Sequence, residues 1–378
     1  MPWETKTVME ERAAFIEAVE TGKETVSALC RQYGISRKTG YKWLKRYREG
    51  QQLCDQSRCP HRQPSKTDRT TEAMIIAVRQ THPAWGGKKI RSVLESAGLE
   101  GLPSSKTCGN ILKRNGLITA EESQKHRPYQ RFEKAECNEL WQADFKGDFL
   151  LGNGERCFPL DILDDHSRYC ILTEPKRAAS GVKDSFIAAF QCYGLPDAVL
   201  TDNGAQFSGF RGGYTQFERF LMDLDILPVH GRIMHPQTQG KIERFHRTMK
   251  QELLRTIPDD LEDAKRRFKE WQWLYNEVRP HSALGMKTPG SVYRPSSRGY
   301  APPKTYVYDE GARLSKVNNW GYLRFGPISL FLSETMADTL LEIRPGENDT
   351  FLVFYRNFQI ARIDAREKVL LDRHIRKL

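Results

Sequence analysis

Asp144, Asp202 and Glu243 are acidic residues in settings that would carry their carboxylates to one place. Asp144 lies near the end of the strand-like run Leu140-Trp141-Gln142-Ala143-Asp144-Phe145. Asp202 follows the short apolar run Ala198-Val199-Leu200-Thr201 and opens the turn Asn203-Gly204. Glu243 stands near the start of Gly240-Lys241-Ile242-Glu243-Arg244-Phe245-His246-Arg247, whose apolar spacing is helical. Three converging carboxylates repel one another, and Mg²⁺, a hard ion that prefers oxygen ligands, relieves that repulsion. Two such ions ~3.5–4 Å apart activate an attacking oxygen and stabilise a leaving one during an in-line phosphodiester displacement. No covalent intermediate is required, and the chain has no GxxxxGK[ST] loop with which to use ATP.

The elements around these residues supply the means of bringing them together. Strands are expected at Leu140–Phe145, Arg156–Leu163 and Arg168–Thr173, with Gly152-Asn153-Gly154 and Asp164–Ser167 as turns. A helix over about 179–193, apolar at Val182, Phe186, Ile187 and Phe190, precedes the strand 198–201. Three strands, a helix, a strand and further helices follow the order of an RNase H-like α/β core, in which the first and fourth strands are neighbours. Asp144 and Asp202 would then meet at one sheet edge, with the helical Glu243 closing the cluster.

On the Glu243 helix, His246, Arg247 and Lys250 share the face of the carboxylate, while Ile242, Phe245 and Met249 fall on the buried one. Lys241, His246, Arg247 and Lys250 are therefore candidate DNA contacts beside the metal site. Asp164 and Asp165, in Asp161–Arg168 (DILDDHSR), are read as a turn that caps backbone amides rather than as ligands. Trp271, Trp273 and Tyr275, on a helix over 259–278, are read as packing residues.

Upstream, residues 8–21 carry a helical stripe (Val8, Phe15, Ile16, Val19) that stops at Gly22. Between Ser27 and Leu44 the pattern is helix-turn-helix, with Gly34 in the turn and Ser36 as cap of a second helix running from Arg37 to about Tyr47. That helix would turn Tyr41 and Leu44 to the core and expose Arg37, Lys38, Lys42, Lys45 and Arg46, the cationic face that a groove-entering helix needs. A plain three-helix bundle with a solvated basic face would show the same spacing. Residues 51–66 read as a linker, where Cys54, Cys59 and His61 lack a clear fourth zinc ligand. A second helical unit follows over 70–118, built on Ile75, Ile76, Val78, Ile90, Val93, Leu94, Ile111 and Leu112, and the polar 119–138 reads as a tether.

Taken together, Trp141-Gln142-Ala143-Asp144, Asp161–Arg168, Thr201-Asp202-Asn203-Gly204, His235–Arg247 (HPQTQGKIERFHR) and Tyr275–Leu284 (YNEVRPHSAL) resemble insertion-sequence transposases, whose catalytic core is similar to that of retroviral integrases. The strings cover residues 140–290, and the helix-turn-helix units in front extend the likeness over most of the chain. The resemblance implies that Asp144, Asp202 and Glu243 are the metal-binding triad, holding two Mg²⁺ ions with Mn²⁺ as substitute. It also implies strand cleavage by water and strand transfer by a DNA 3′-hydroxyl. Forty residues separate Asp202 from Glu243, more than the integrase-like pattern has, and the glycine-rich Ser208–Tyr214 is a natural place for the excess.

The expected architecture is multi-domain: all-α helix-turn-helix units at 1–50 and 66–118, a linker at 119–138, the RNase H-like core at 139–294 and a small C-terminal β-barrel at 300–378. The barrel rests on short β-rich runs at 305–308, 321–325, 328–332, 340–343, 351–355 and 358–363. The 378 residues exceed what one core organises, and 39% hydrophobic with 28% charged residues is a globular balance. No apolar run is long enough to span a bilayer, and the N-terminus does not read as a secretory signal, so the protein is expected to stay inside the cell, and the resemblance implies a prokaryotic cytoplasm, near the nucleoid. Eight scattered cysteines without CxxC argue against a disulfide framework.

Of the net charge of +11, residues 1–138 hold 25 Lys/Arg against 16 Asp/Glu, a surplus that attracts polyanions. The expected partners are double-stranded DNA, as element ends and target, and further copies of the chain as a homodimer or larger, with no membrane. Two other functions fit parts of the pattern. A DNA-binding regulator or domesticated transposase without catalysis would have no use for carboxylates that repel phosphates, and a simple RNase H-type nuclease would leave the front domains unexplained.

Overall fold

The computed structural model describes residues 7–55, 67–118, 133–204, 206–207, 213–231, 240–372 and 374–377. They form two units, one in the first 66 residues and one from Thr67 onward. Cys59, His61, Ser208 and the His235-Pro236-Gln237 string lie outside the described residues.

The first unit is a bundle of α1 (Val8–Glu20), α2 (Val26–Gln32) and α3 (Arg37–Arg48). Each helix starts on a hydroxyl cap: Thr7 in a capping box with Glu10, Thr25, and Ser36, which accepts from the Thr39 amide. Phe15, Ile16, Leu29, Cys30, Trp43 and Leu44 make the core. Gly34 takes φ +63° in the turn between α2 and α3, where a side chain would be strained. Gly40 lets α3 cross closely, since a Cβ there would stand 2.5 Å from the Cys30 Sγ. Tyr41 does not join the core: it is 57% exposed and Trp43 is buried in its stead. Gly40, Trp43 and Leu44 form the i, i+3, i+4 stripe, and Tyr41 lies off it.

The second unit opens with α4 (Arg69–Thr81), α5 (Gly87–Ser96) and α6 (Ser105–Arg114), packed around Ile75, Trp85, Ile90, Cys108, Ile111 and Leu112. There follow β1 (Trp141–Phe145), β2 (Phe149–Leu150), β3 (Arg156–Asp164), β4 (Cys170–Lys176), α7 (Val182–Tyr193), β5 (Ala198–Thr201), α8 (Gln216–Asp223), β6 (Leu227–His230), α9 (Gly240–Glu252), α10 (Leu261–Trp273) and α11 (Pro289–Val292). One sheet runs β2-β3-β1-β5-β6, with β4 also on β3; β1, β3 and β4 are antiparallel, and β1, β5 and β6 parallel. One face is covered by α7 and α8 around Phe186, Phe190, Phe217 and Phe220, the other by α9 and α10 around Phe245, Met249, Phe268, Trp271 and Tyr275. After α10 the chain continues as a π-helical turn, Leu274–Val278. Trp271 and Tyr275 pack as expected, but Trp273 points away and is 62% exposed.

The helical region does not stand apart from this core. Glu252 on α9 accepts from the indole of Trp85 at 3.1 Å and of Trp271 at 3.3 Å, and pairs with Arg279 at 3.0 Å.

The C-terminal region is β-rich: β7 (Leu314–Lys316), β8 (Tyr322–Phe325), β9 (Ile328–Phe331), β10 (Leu340–Pro345), β11 (Thr350–Tyr355), β12 (Phe358–Asp364), β13 (Val369–Asp372) and β14 (Arg376–Lys377). The larger sheet runs β13-β12-β11-β10-β7 with β14 on β12, and β8-β9 is a separate hairpin. Among the described residues no pairing joins its two edges, so the sheet is open rather than closed into a barrel. The expected strand at 305–308 is not formed. Its tyrosines strap the sheet instead, Tyr306 donating to Asn357 and Tyr308 to the Leu340 carbonyl. Tyr214 and Met222 enter the core of this region, and Tyr355 donates to Asp223 of α8 at 2.5 Å. No described helix is long and apolar enough to cross a membrane.

Candidate active site

Alternation along β1 sends Trp141 and Ala143 into the apolar layer under α7 and α8, and places Gln142 and Asp144 on the other side. Asp144 stands opposite Asp161 of β3 in the antiparallel register. In the parallel register Trp141 faces Val199 and Gln142 faces Leu200; two residues further on, Asp144 comes level with Asp202, just past the end of β5. Asp161 is fully buried, and its Oδ1 accepts from Thr173 at 2.6 Å. His246, on the inner side of α9, lies 4.0 Å from the Asp144 carboxylate and 2.9 Å from that of Asp161. The second contact has ion-pair range but lies off the hydrogen-bonding axis.

Burial pushes the Asp144 carboxyl up to about 7, and the neighbouring Asp202 and Asp161 charges push the same way against the pull of His246. Within the protein the ionised form of Asp144 is compensated only in part, by His246. An oxygen-lined acidic edge in that state suits a hard divalent cation.

Glu243 is exposed in the first turn of α9, three residues before His246 and so one turn along the same face. The structure brings Asp144 and Asp202 together with Asp161 and His246, and leaves Glu243 a turn away. Among the described residues no three His, Cys, Asp or Glu side chains converge tightly enough to hold an ion.

Asp161 and the inward placement of His246 are what sequence reasoning missed. A lone acid in the apolar run Phe158-Pro159-Leu160-Asp161-Ile162-Leu163 was the available signal, because a buried charge must find partners.

The other candidates fall into two sets. Arg247 and Lys250 are exposed on α9, and Arg37, Lys38, Lys42 and Lys45 on α3. Lys241 and Arg46 are already engaged within the chain. Lys241 pairs with buried Asp165, tying α9 to the β3–β4 turn, and Arg46 donates to the Cys54 carbonyl at 3.0 Å beside the Trp43 ring. The acidic turn caps amides: Asp164 accepts from the amides of Asn138 and Ser167, both at 2.8 Å, and Asp165 from that of Lys134 at 2.9 Å.

Comparison with known proteins finds integrases and transposases among those that this chain is similar to. Residues 134–236 and 224–289 match two integrase core domain models, and residues 6–54 and 39–112 match two homeodomain-like domain models. The transposase InsD for insertion element IS2A/D/F/H/I/K of Escherichia coli is 29% identical over 252 residues, 61% of this chain and 81% of that protein. Transposase InsD for insertion element IS2-9 of the K12 strain is 29% identical over 61% of this chain and 80% of its own. Among solved structures, the HTLV-2 integrase catalytic core domain in complex with magnesium aligns at 18% identity and a TM-score of 0.34, over 42% of this chain and 99% of that one. The simian T-cell lymphotropic virus intasome in complex with PP2A regulatory subunit B56 gamma aligns at 15% and 0.38, over 75% and 96%. The integrase core and its relatives define the class, a DDE polynucleotidyl transferase. More narrowly, the chain is similar to insertion-element transposases, with homeodomain-like domains in front of the integrase-like core.

Proposed function

We propose that the protein binds the ends of its mobile element and cuts and joins DNA there, with Asp144, Asp202 and Glu243 as the carboxylates that hold two Mg²⁺ ions, replaceable by Mn²⁺. The observation that carries this reading is the meeting of Asp144 and Asp202 at the ends of adjacent strands, where burial and mutual repulsion hold the Asp144 carboxyl up to about 7. When bound, the ions supply Lewis-acid activation of the attacking oxygen and charge stabilisation of the leaving one.

The chain's own residues do the positioning. β1 and β5 fix the two aspartates, α9 carries Glu243 at the rim, and His246 sets the spacing between α9 and the acids of β1 and β3. Arg247 and Lys250 offer charge to flanking phosphates, which orient the duplex without reading its sequence. Arg37, Lys38, Lys42 and Lys45, with Arg46 braced by Trp43, make the groove-facing side of α3. The proposed organisation is helix-turn-helix at 1–50 and 66–118, linker at 119–138, core at 139–294 and an open β-rich module at 300–378, working at cytoplasmic, nucleoid DNA. Joining two ends in concert calls for a homodimer or larger assembly.

The test is to incubate the purified chain and Mg²⁺ with labelled duplexes bearing the element's ends and a target plasmid. Nicked ends and joined products are expected, absent with a chelator and restored by Mn²⁺. Specific end binding with neither product, at any concentration of either ion, would leave only the DNA-binding regulator.

A further inference from the structure

β5 is four residues long, and Asp202 lies one residue beyond it. Its pairing with β1 reaches only as far as Leu200, so the last ladder contact before Asp202 comes from the other side, where Thr201 pairs with His230 of β6. The Gly231 amide donates to the Thr201 carbonyl at 3.0 Å, and the Asn203 side chain donates to the Gly231 carbonyl at 3.1 Å. At this junction the His230 ring spans the strand end. Its Nδ1 lies 3.2 Å from the Thr201 hydroxyl and 3.4 Å from the Asp202 carbonyl, and its Nε2 lies 2.8 Å from the Glu218 carboxylate.

Glu218 is 4% exposed, on the first turn of α8. One carboxylate oxygen completes a capping box, accepting from the Thr215 amide at 2.6 Å. That alone would satisfy the helix end. The other oxygen meets an imidazole on a different element, and that imidazole touches both residues at the end of β5. A capping role does not explain the second contact. Helix α8 is itself fixed by Phe217, Phe220 and Leu221 in the core and by Arg219, which donates to the Thr335 carbonyl at 2.6 Å.

We propose that Glu218 and His230 are positioning residues for Asp202: Glu218, anchored on α8, orients the imidazole, which sets the end of β5 and hence the angle at which the Asp202 carboxylate leaves the sheet. The proposal rests on the reading of Asp202 as a cation-holding carboxylate. Outer partners of this kind commonly change metal affinity or activity about 10–100-fold when removed.

The test measures Mn²⁺ binding to the full chain by calorimetry, hydrogen exchange of residues 198–204, and the kinetics of strand transfer. His230→Ala is expected to weaken Mn²⁺ binding about tenfold or more, to speed exchange at 198–204, and to lower kcat while KM for end DNA holds. His230→Gln, whose amide keeps one donor and one acceptor in place of the two ring nitrogens, is expected to recover most of the loss. Should His230→Ala lose its cooperative melt, Glu218→Gln carries the comparison, since it keeps an oxygen for the Thr215 amide, and it should move all three readouts in the same direction. Parent-like Mn²⁺ affinity and exchange in His230→Ala and Glu218→Gln, alongside lost binding in Asp202→Asn, would overturn the positioning role and leave the site reading intact. Unchanged binding in Asp202→Asn would remove the site reading, and this proposal with it.

Discussion

Asp144→Asn is expected to lower strand cleavage and strand transfer by about 10³-fold or more, roughly 4 kcal/mol of transition-state stabilisation, with affinity for end DNA unchanged within about twofold. Asparagine keeps the volume and one oxygen but removes the charge. The fold should tolerate it, because at this position the charge is a burden in the metal-free chain: burial and the Asp202 and Asp161 carboxylates raise the group to about 7. A carboxyl raised above its unfolded value binds more protons folded than unfolded between about 4 and about 7, so it costs stability as pH rises through that window. Metal-free Asp144→Asn should therefore melt at or above the parent at pH 8, and the two should converge at pH 4. Product on a denaturing gel and the two melting curves check both halves. A variant that cuts and joins like its parent would remove Asp144 from the chemistry.

Glu252→Ala is expected to cost about 3–5 kcal/mol, because it leaves a buried guanidinium without its partner. Glu252 and Arg279 are each only about a tenth exposed, and two indoles, Trp85 and Trp271, also donate to that carboxylate. Trp85 is fully buried and stacks on His82. Lys89 nearby is already pushed down to about 7 by burial and by Arg279, with Glu252 as the counterweight. Losing Glu252 thus removes the polar centre of the joint between the α4–α6 bundle and the core. Chemical denaturation should show the loss in its midpoint, and hydrogen exchange should quicken over residues 82–94 first. Glu252→Gln, which keeps one oxygen to accept from one of the two indoles, should lose less. A cost below about 1 kcal/mol in the alanine variant would mean that the bundle docks by apolar contact alone.

The helices were largely legible in the sequence because caps and apolar stripes are local: Ser36, Gly34 and the Gly40-Trp43-Leu44 stripe bound and orient α3 within a dozen residues. The phase still misled at Tyr41, since one aromatic looks like another until glycine is recognised as the crossing point. The strand-end aspartates were legible because an acid after a short apolar run marks an edge. β6 was not, as Leu227-Pro228-Val229-His230 is short and holds a proline that suits only an edge strand. With β6 unseen, His230 had no visible place beside Asp202. Asp161 was hidden because its partnership with Asp144 depends on register between strands separated by β2. The run at 305–308 has strand-like alternation but finds no partner strand, and alternation alone does not make a sheet.

Anomalous diffraction from crystals of the chain with end DNA and Mn²⁺ tests the metal-holding role most directly. Manganese peaks within coordinating distance of both Asp144 and Asp202, with Glu243 drawn in to share one of them, are the expected result. Manganese bound elsewhere, or Asp144 and Asp202 left without a common ion beside an ordered DNA strand, would contradict it.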